Sequence, residues 1–301
     1  MIAEAASLSI DYIMSRIIEP GSTAVSRRPV IWLNILCLDA PIVASSWQWL
    51  FARVFGVAVP LAEREGLFLT AWLIYLIDRL ADSISLSPDV PKAVRQEFCS
   101  RHKNIWVALI AIIALLDAEI VFWRIGHETF VFGIFLGAIA AAYLAMNHAF
   151  SKVWQAIPIK ELIVGFLFAA GTLLALAPHG ATTRSTIAIT AVLFACLCAL
   201  NCMAIAVWER DLDRTQGKHS IATRWPSVKS WVQFLPLLLA FACAMLTFFD
   251  PRVWSVALCL GSSSVLLFEL HFFSIRRDER TALADLVLLT PLAFVLGAKL
   301  L

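Results

Sequence analysis

Residues 185–208 read STIAITAVLFACLCALNCMAIAVW, a run without one charged side chain, and it passes directly into Glu209-Arg210-Asp211-Leu212-Asp213. A helix rises about 1.5 Å per residue, so this run is long enough for a hydrocarbon core of roughly 30 Å. Its abrupt acidic end then lies at one membrane face. The rest of the chain repeats the pattern. Of 301 residues, 60% are hydrophobic and 15% charged, against about 25% charged in an average soluble domain. Apolar blocks between polar breaks predict nine spans, at about 30–50, 66–83, 104–124, 128–150, 160–178, 185–208, 231–249, 253–274 and 282–300. The fold class expected is all-α: a polytopic integral membrane protein of about nine transmembrane helices in one bundle with a central cavity. Short connections make residues 1–301 a single domain.

The start carries Glu4 and Asp11 and no basic stretch before its apolar part, which argues against a cleavable signal. Ile2, Ala6, Ile10, Ile13 and Ile17 follow helical spacing, so residues 1–18 are expected to form an amphipathic helix at the interface. The seven cysteines fall mostly inside apolar blocks, which argues against a disulfide framework; Cys196, Cys198 and Cys202 read as small packing residues.

Alternating sides after each span puts 18 of the 24 Lys and Arg on the side of the N-terminus. Only Arg53, Arg64, Arg124, Arg184, Arg252 and Lys299 fall opposite. The positive-inside rule then makes the N-terminal side cytoplasmic and puts the C-terminus outside, as expected for a bacterial inner (plasma) membrane. The net charge of +2 carries no nucleic-acid signal.

Two acidic clusters open on that cytoplasmic side. The first is Tyr75-Leu-Ile-Asp78-Arg79-Leu-Ala-Asp82, still on an apolar helix. Asp78 and Asp82 are four residues apart and share a helical face, where like charges repel unless a cation or water meets them. The second is Glu209 to Ser220, with Glu209 and Asp213 again four apart and Gly217 placed to let the helix turn. Solvated helix ends are the plain reading of one such pair. Two pairs at one depth suit a hard cation such as Mg²⁺, held by carboxylates together with substrate phosphates. Arg79, Arg210, Arg214 and Lys218 flank them.

These residues resemble the two aspartate-rich motifs of the UbiA superfamily of intramembrane prenyltransferases, whose members have nine transmembrane helices with the motifs after helices two and six. The second family motif, D-x-E-x-D-x3-G-x2-T, is met by Glu209-x-Asp211-x-Asp213-x3-Gly217-x2-Ser220, with the first two acid types exchanged and Ser for Thr. In the first, N-D-x2-D-x3-D, Asp78 and Asp82 supply the last two acids, while Ile74 and Tyr75 stand where Asn-Asp leads in the family. Lys152 follows span four, where family members carry a base for the diphosphate. The resemblance implies transfer of a prenyl group from an isoprenyl diphosphate to a lipophilic, aromatic acceptor in the bilayer, with membrane lipid as surroundings and no protein partner. Mg²⁺ would be held by Asp78, Asp82, Glu209, Asp211 and Asp213, with Asp78, Asp82, Glu209 and Asp213 catalytic. Arg79, Arg214, Lys218 and Lys152 would take the diphosphate. Cyclisation of the prenyl cation in the same site is one alternative. A transporter or non-catalytic membrane protein is the other; transport predicts an internal repeat and broken helices at mid-depth.

Further cavity candidates are Tyr75 and Trp208, within a turn of the acids; Asn147 and Asn201, near or inside span ends; and Asp39, deep in the first span. An intramembrane acid is a functional candidate by default. His148 sits beside Asn147 at the end of span four and is weighed with it, while Asp117, Glu119, Glu269, His271 and Asp285 are polar residues in apolar blocks with no partner legible from the sequence.

Overall fold

The computed structural model describes residues 29–150, 153–156, 159–178 and 184–298, which are helical with no strand among them. The proposed interfacial helix at 1–18, Lys152 and Lys299 lie outside the described residues. In chain order the helices are α1 (Pro29–Ile35), α2 (Asp39–Phe55), α3 (Leu61–Ile84), α4 (Val94–Arg101), α5 (Lys103–Trp123), α6 (His127–Ala149) and α7 (Val153–Ala156). They continue with α8 (Lys160–Leu173), α9 (Arg184–Trp208), α10 (Arg210–Thr215), α11 (Ile221–Arg224), α12 (Val228–Phe249), α13 (Trp254–Glu269), α14 (Arg277–Leu286) and α15 (Thr290–Ala298).

Five stretches are long and apolar enough to cross a membrane: Lys103–Trp123, His127–Ala149, Ser185–Trp208, Val228–Phe249 and Pro251–Glu269. Their outward faces are apolar, with Leu115, Phe122, Trp123, Phe135, Phe248 and Phe249 exposed. In water such a belt would aggregate; in lipid it is the solvated surface. This is a helical membrane protein.

Two of the expected blocks are not single helices. The first breaks between α1 and α2, where Cys37 takes a left-handed φ of 56°. Asp39 Oδ1 accepts from the Ala40 N–H at 2.9 Å, and Pro41, lacking an N–H, sits in the first turn of α2, where none is needed. The same residues that mark the block on paper thus begin a new helix. The last block passes from α14 through a 3₁₀ turn at Val287–Leu289 into α15. The turn frees carbonyls that buried side chains recover: Trp47 Nε1 donates to Leu288 O at 2.8 Å and Ser263 Oγ to Val287 O at 2.8 Å.

The core joins α2, α8, α9 and α13. Trp47, Leu50 and Phe51 of α2 pack on Phe194 and Leu197 of α9, the Trp47 and Phe194 rings 4.7 Å apart. α8 and α9 approach so closely at Gly165 that an added Cβ would stand 2.4 Å from the Ala199 nitrogen. Small residues permit this kind of helix contact in lipid. Gly165→Ala is therefore expected to push the two helices apart and cost about 1 to 3 kcal/mol, seen as a lower midpoint of thermal unfolding in detergent.

Candidate active site

One cavity of about 580 Å³ runs into the bundle between α2, α3, α6, α8 and α9. One end is charged, because it is built where helices terminate: Asp78, Arg79 and Asp82 at the end of α3, His148 at the end of α6, Lys160 and Glu161 at the start of α8, and Glu209, Asp213 and Lys218 beyond α9. The helical interior beyond it is mainly apolar, with Val43, Ala71, Ile74, Leu167, Phe168 and Ile205 on its wall, broken by Asn34, Asn201 and Asp285. The two clusters predicted to share a membrane side share this one cavity.

Its ion pairs are specific. His148 Nε2 lies 3.0 Å from Asp78 Oδ1, and His148 Nδ1 4.0 Å from Asp82 Oδ1. Asp82 Oδ2 accepts from Lys218 Nζ at 2.7 Å. That contact links the two clusters across 136 residues of sequence, and the local fold explains it. α10 ends at Gly217, whose φ of 65° is left-handed, with Lys218 N–H closing on Asp213 O at 2.8 Å. The turn throws Lys218 back towards α3.

Glu209 is 7% exposed, and both its oxygens are engaged. Oε2 accepts from Arg95 of α4 at 2.5 Å and Oε1 from Thr281 of α14 at 3.2 Å. Burial alone would raise this carboxyl, but the charge and hydrogen bond of Arg95 outweigh it and hold Glu209 below its ordinary range. Asp213 goes the other way: burial, aided by Glu209's charge, pushes it up against the opposing pull of Lys160 and Ser220. Beside Arg95, Gln96 pairs reciprocally with Gln216 at 2.9 and 3.3 Å, and Gln216 also donates to Pro91 O at 2.8 Å. α4 is thereby fastened over the end of α9.

Of the expected residues, Asp78, Asp82, Glu209, Asp213, Arg79, Lys218, Tyr75, Asn147 and Asn201 line the cavity. Four others do not. Asp211 is exposed, and Trp208 turns away to stack on His271 (4.9 Å) beneath the Arg280 guanidinium (5.6 Å). Arg214 is exposed and faces a smaller neighbouring pocket with Arg224. Helix phase is the reason: Trp208 and Arg214 are each one residue from a cavity acid, roughly 100° round, and Asp211 is two. Asp39 stands behind the wall, reaching the cavity through Asn34 and Asp285. Asp117, which had no partner in the sequence, accepts from Thr70 at 2.9 Å. Arg95, Lys160, Glu161 and Thr281 were not singled out by the sequence reading. The loop between spans two and three carries Lys92, Arg95, Arg101 and Lys103, and the sequence does not show which of the four turns inward.

Among the described residues no three His, Cys, Asp or Glu side chains gather at a spacing that would hold a metal unaided. Glu209 is committed to Arg95 and Thr281, and a metal there would have to share or displace those contacts. Asp78 is partly exposed, its Oδ2 has no hydrogen bond among the described residues, and Asp82 shares its face. This pair fits Mg²⁺ in the mode in which one or two carboxylates and substrate phosphates share the ion. Comparisons with protein-family models, curated proteins and solved structures found no match.

Proposed function

We propose that this chain is an intramembrane prenyltransferase of about nine spans, its charged cavity mouth on the cytoplasmic side, that transfers an isoprenyl group from its diphosphate to a lipophilic acceptor. The observation that carries the reading is the cavity's polarity: a mouth of paired acids and bases opening into an apolar interior at least partly walled by aromatic rings. An isoprenyl diphosphate has that same division, a strongly anionic head on an apolar tail.

In this reading Lys218, His148, Arg79 and Lys160 receive the phosphate oxygens, each now close to a carboxylate that the diphosphate would share or displace. Mg²⁺ at Asp78 and Asp82 would add positive charge to the departing diphosphate. As the allylic carbon–oxygen bond breaks, its electrons leave with the diphosphate, and the chain's cations stabilise that charge in a site shielded from bulk water. Tyr75 and Phe168, rings 6.4 Å apart at 70°, present π surface to the allylic cation left behind. The acceptor's π electrons form the new carbon–carbon bond, and its displaced proton leaves to water or a nearby base.

The test is release of pyrophosphate from labelled isoprenyl diphosphates of several lengths by the purified chain in detergent, with Mg²⁺ and under chelation. Release that requires both protein and Mg²⁺, coupled to prenylation of an added acceptor, is expected. Prenyl hydrocarbon in place of coupled product would make it a cyclase. A transport reading has one observation in its favour, the interrupted helices at Cys37 and Val287–Leu289 beside buried acids. It predicts no bond cleavage at all.

A further inference from the structure

Away from the charged mouth, the cavity has a second polar pole that the diphosphate chemistry does not use. It is made where the two interrupted helices meet: Asn34 at the end of α1, Asp39 at the start of α2, Asp285 in the last turn of α14 and Asn201 inside α9. Asn34 Nδ2 donates to Asp39 Oδ2 at 2.7 Å and to Asp285 Oδ2 at 3.1 Å, while Asn201 Nδ2 donates to Asp285 Oδ1 at 3.0 Å. The two carboxyls are within hydrogen-bonding reach of each other. Asp39 is 3% and Asn201 4% exposed, and Asn34, Asn201 and Asp285 all reach the cavity wall.

What the cluster has left over is mostly acceptor. Both N–H groups of Asn34 are committed, Asn201 keeps one, and each carboxyl retains lone pairs beyond the bonds it accepts. The Asn201 Oδ1 atom is buried with no partner among the described residues. An orphaned buried acceptor is rare, and leaving one costs about 1 to 3 kcal/mol. Among the described residues neither carboxyl forms an ion pair, and Arg95 is held by Glu209. The pole is therefore acidic and richer in acceptors than in donors. A ligand group that fits it must donate hydrogen bonds and must not be an anion.

We propose that this pole is an acceptor subsite that takes the hydroxyl of an otherwise apolar molecule and rejects a carboxylate in the same place. Calling that molecule the acceptor rests on the transferase reading; its donor-selective binding does not. The chemistry narrows the substrate class to lipophilic phenols or alcohols with no acidic group at the buried end. The neighbouring wall of Val43, Ala44, Ala71 and Cys198 suits the apolar body of such a molecule.

The experiment titrates the full chain in detergent with 4-octylphenol, its methyl ether 4-octylanisole and 4-octylbenzoate at neutral pH, read by calorimetry. Partition into micelles is common to wild type and variants, so the ratios between probes are compared across proteins. Wild type is expected to bind the phenol about tenfold or more tighter than the ether or the benzoate. Asn201→Ala should bring the phenol-to-ether ratio towards one. Asp285→Asn, nearly isosteric, should in addition improve benzoate binding, a gain that a merely damaged fold does not produce. Equal binding of phenol and benzoate by wild type overturns the proposal, as do ratios unchanged in both variants. The same preparations are titrated with Mg²⁺ and inorganic pyrophosphate. Phenol selectivity without pyrophosphate binding keeps the subsite and sinks the transferase reading of the mouth; pyrophosphate binding without phenol selectivity does the reverse.

Discussion

Arg95→Ala is expected to release α4 from the end of α9 at a cost of about 3 to 5 kcal/mol, since it leaves the buried Glu209 carboxylate without its cation. The side chains of the pair are only 12% and 9% exposed, so solvent cannot replace the lost partner cheaply. Hydrogen exchange across residues 94–101 reads the effect directly, as protection lost relative to wild type. The double change Arg95→Met with Glu209→Leu should recover most of it, because removing both charges leaves nothing uncompensated. Full protection in Arg95→Ala would show that the Gln96–Gln216 pair alone fastens the helix. The pH dependence has a definite sign. Glu209 is held below its ordinary value, so its contribution is complete above the unfolded carboxyl range of roughly 4.3 and is lost as pH falls through the lower folded value. Asp213 is raised, so its ionisation costs stability as pH climbs past that same range. Docking of α4 should therefore hold at neutral pH and fail only in acid.

The second large effect is on catalysis. Asp82→Asn is expected to lower the rate of pyrophosphate release by about 100-fold or more, the scale for losing one preorganised electrostatic contact at a developing charge. Asp82 holds Lys218 and faces the His148 ring, so the change frees a cation along with removing a carboxylate. Lys218→Ala should lose activity on a similar scale, and Lys218→Arg should regain part of it. Asp211→Asn, on an exposed side chain off the cavity wall, should change the rate less than threefold or so. If Asp82→Asn retained wild-type release while Asp211→Asn abolished it, the chemistry would lie outside this cavity.

Much of this was legible from residues alone because a bilayer reads sequence crudely. An uncharged run such as 185–208 has one way to satisfy its backbone in hydrocarbon, and that is a helix. The parity of such runs predicted one side for Asp78, Asp82, Glu209 and Asp213, and the structure brings the four to one cavity; i, i+4 spacing already put each pair on a shared face. Helix phase separates Asp211 from Glu209 and Asp213 by about 200°, and the structure follows that phase rather than the resemblance that grouped the three as ligands. What the runs did not disclose was interruption. The freed carbonyls find side chains remote in sequence: at the Cys37 break Trp72 donates to Leu36 O, and at the 3₁₀ turn Trp47 and Ser263 donate to Leu288 O and Val287 O.

Partnership was beyond the sequence for the same reason. Arg95 meets Glu209 across 114 residues, Lys218 meets Asp82 across 136, and Asn34 meets Asp285 across 251. Hydrophobic period acts within a helix, so it determined the material, the apolar blocks and which acids share a helical face. Which base neutralises which acid, and which acids are left facing an empty acceptor, depends on distances of about 3 Å between helices remote in sequence, and only packing in three dimensions sets those.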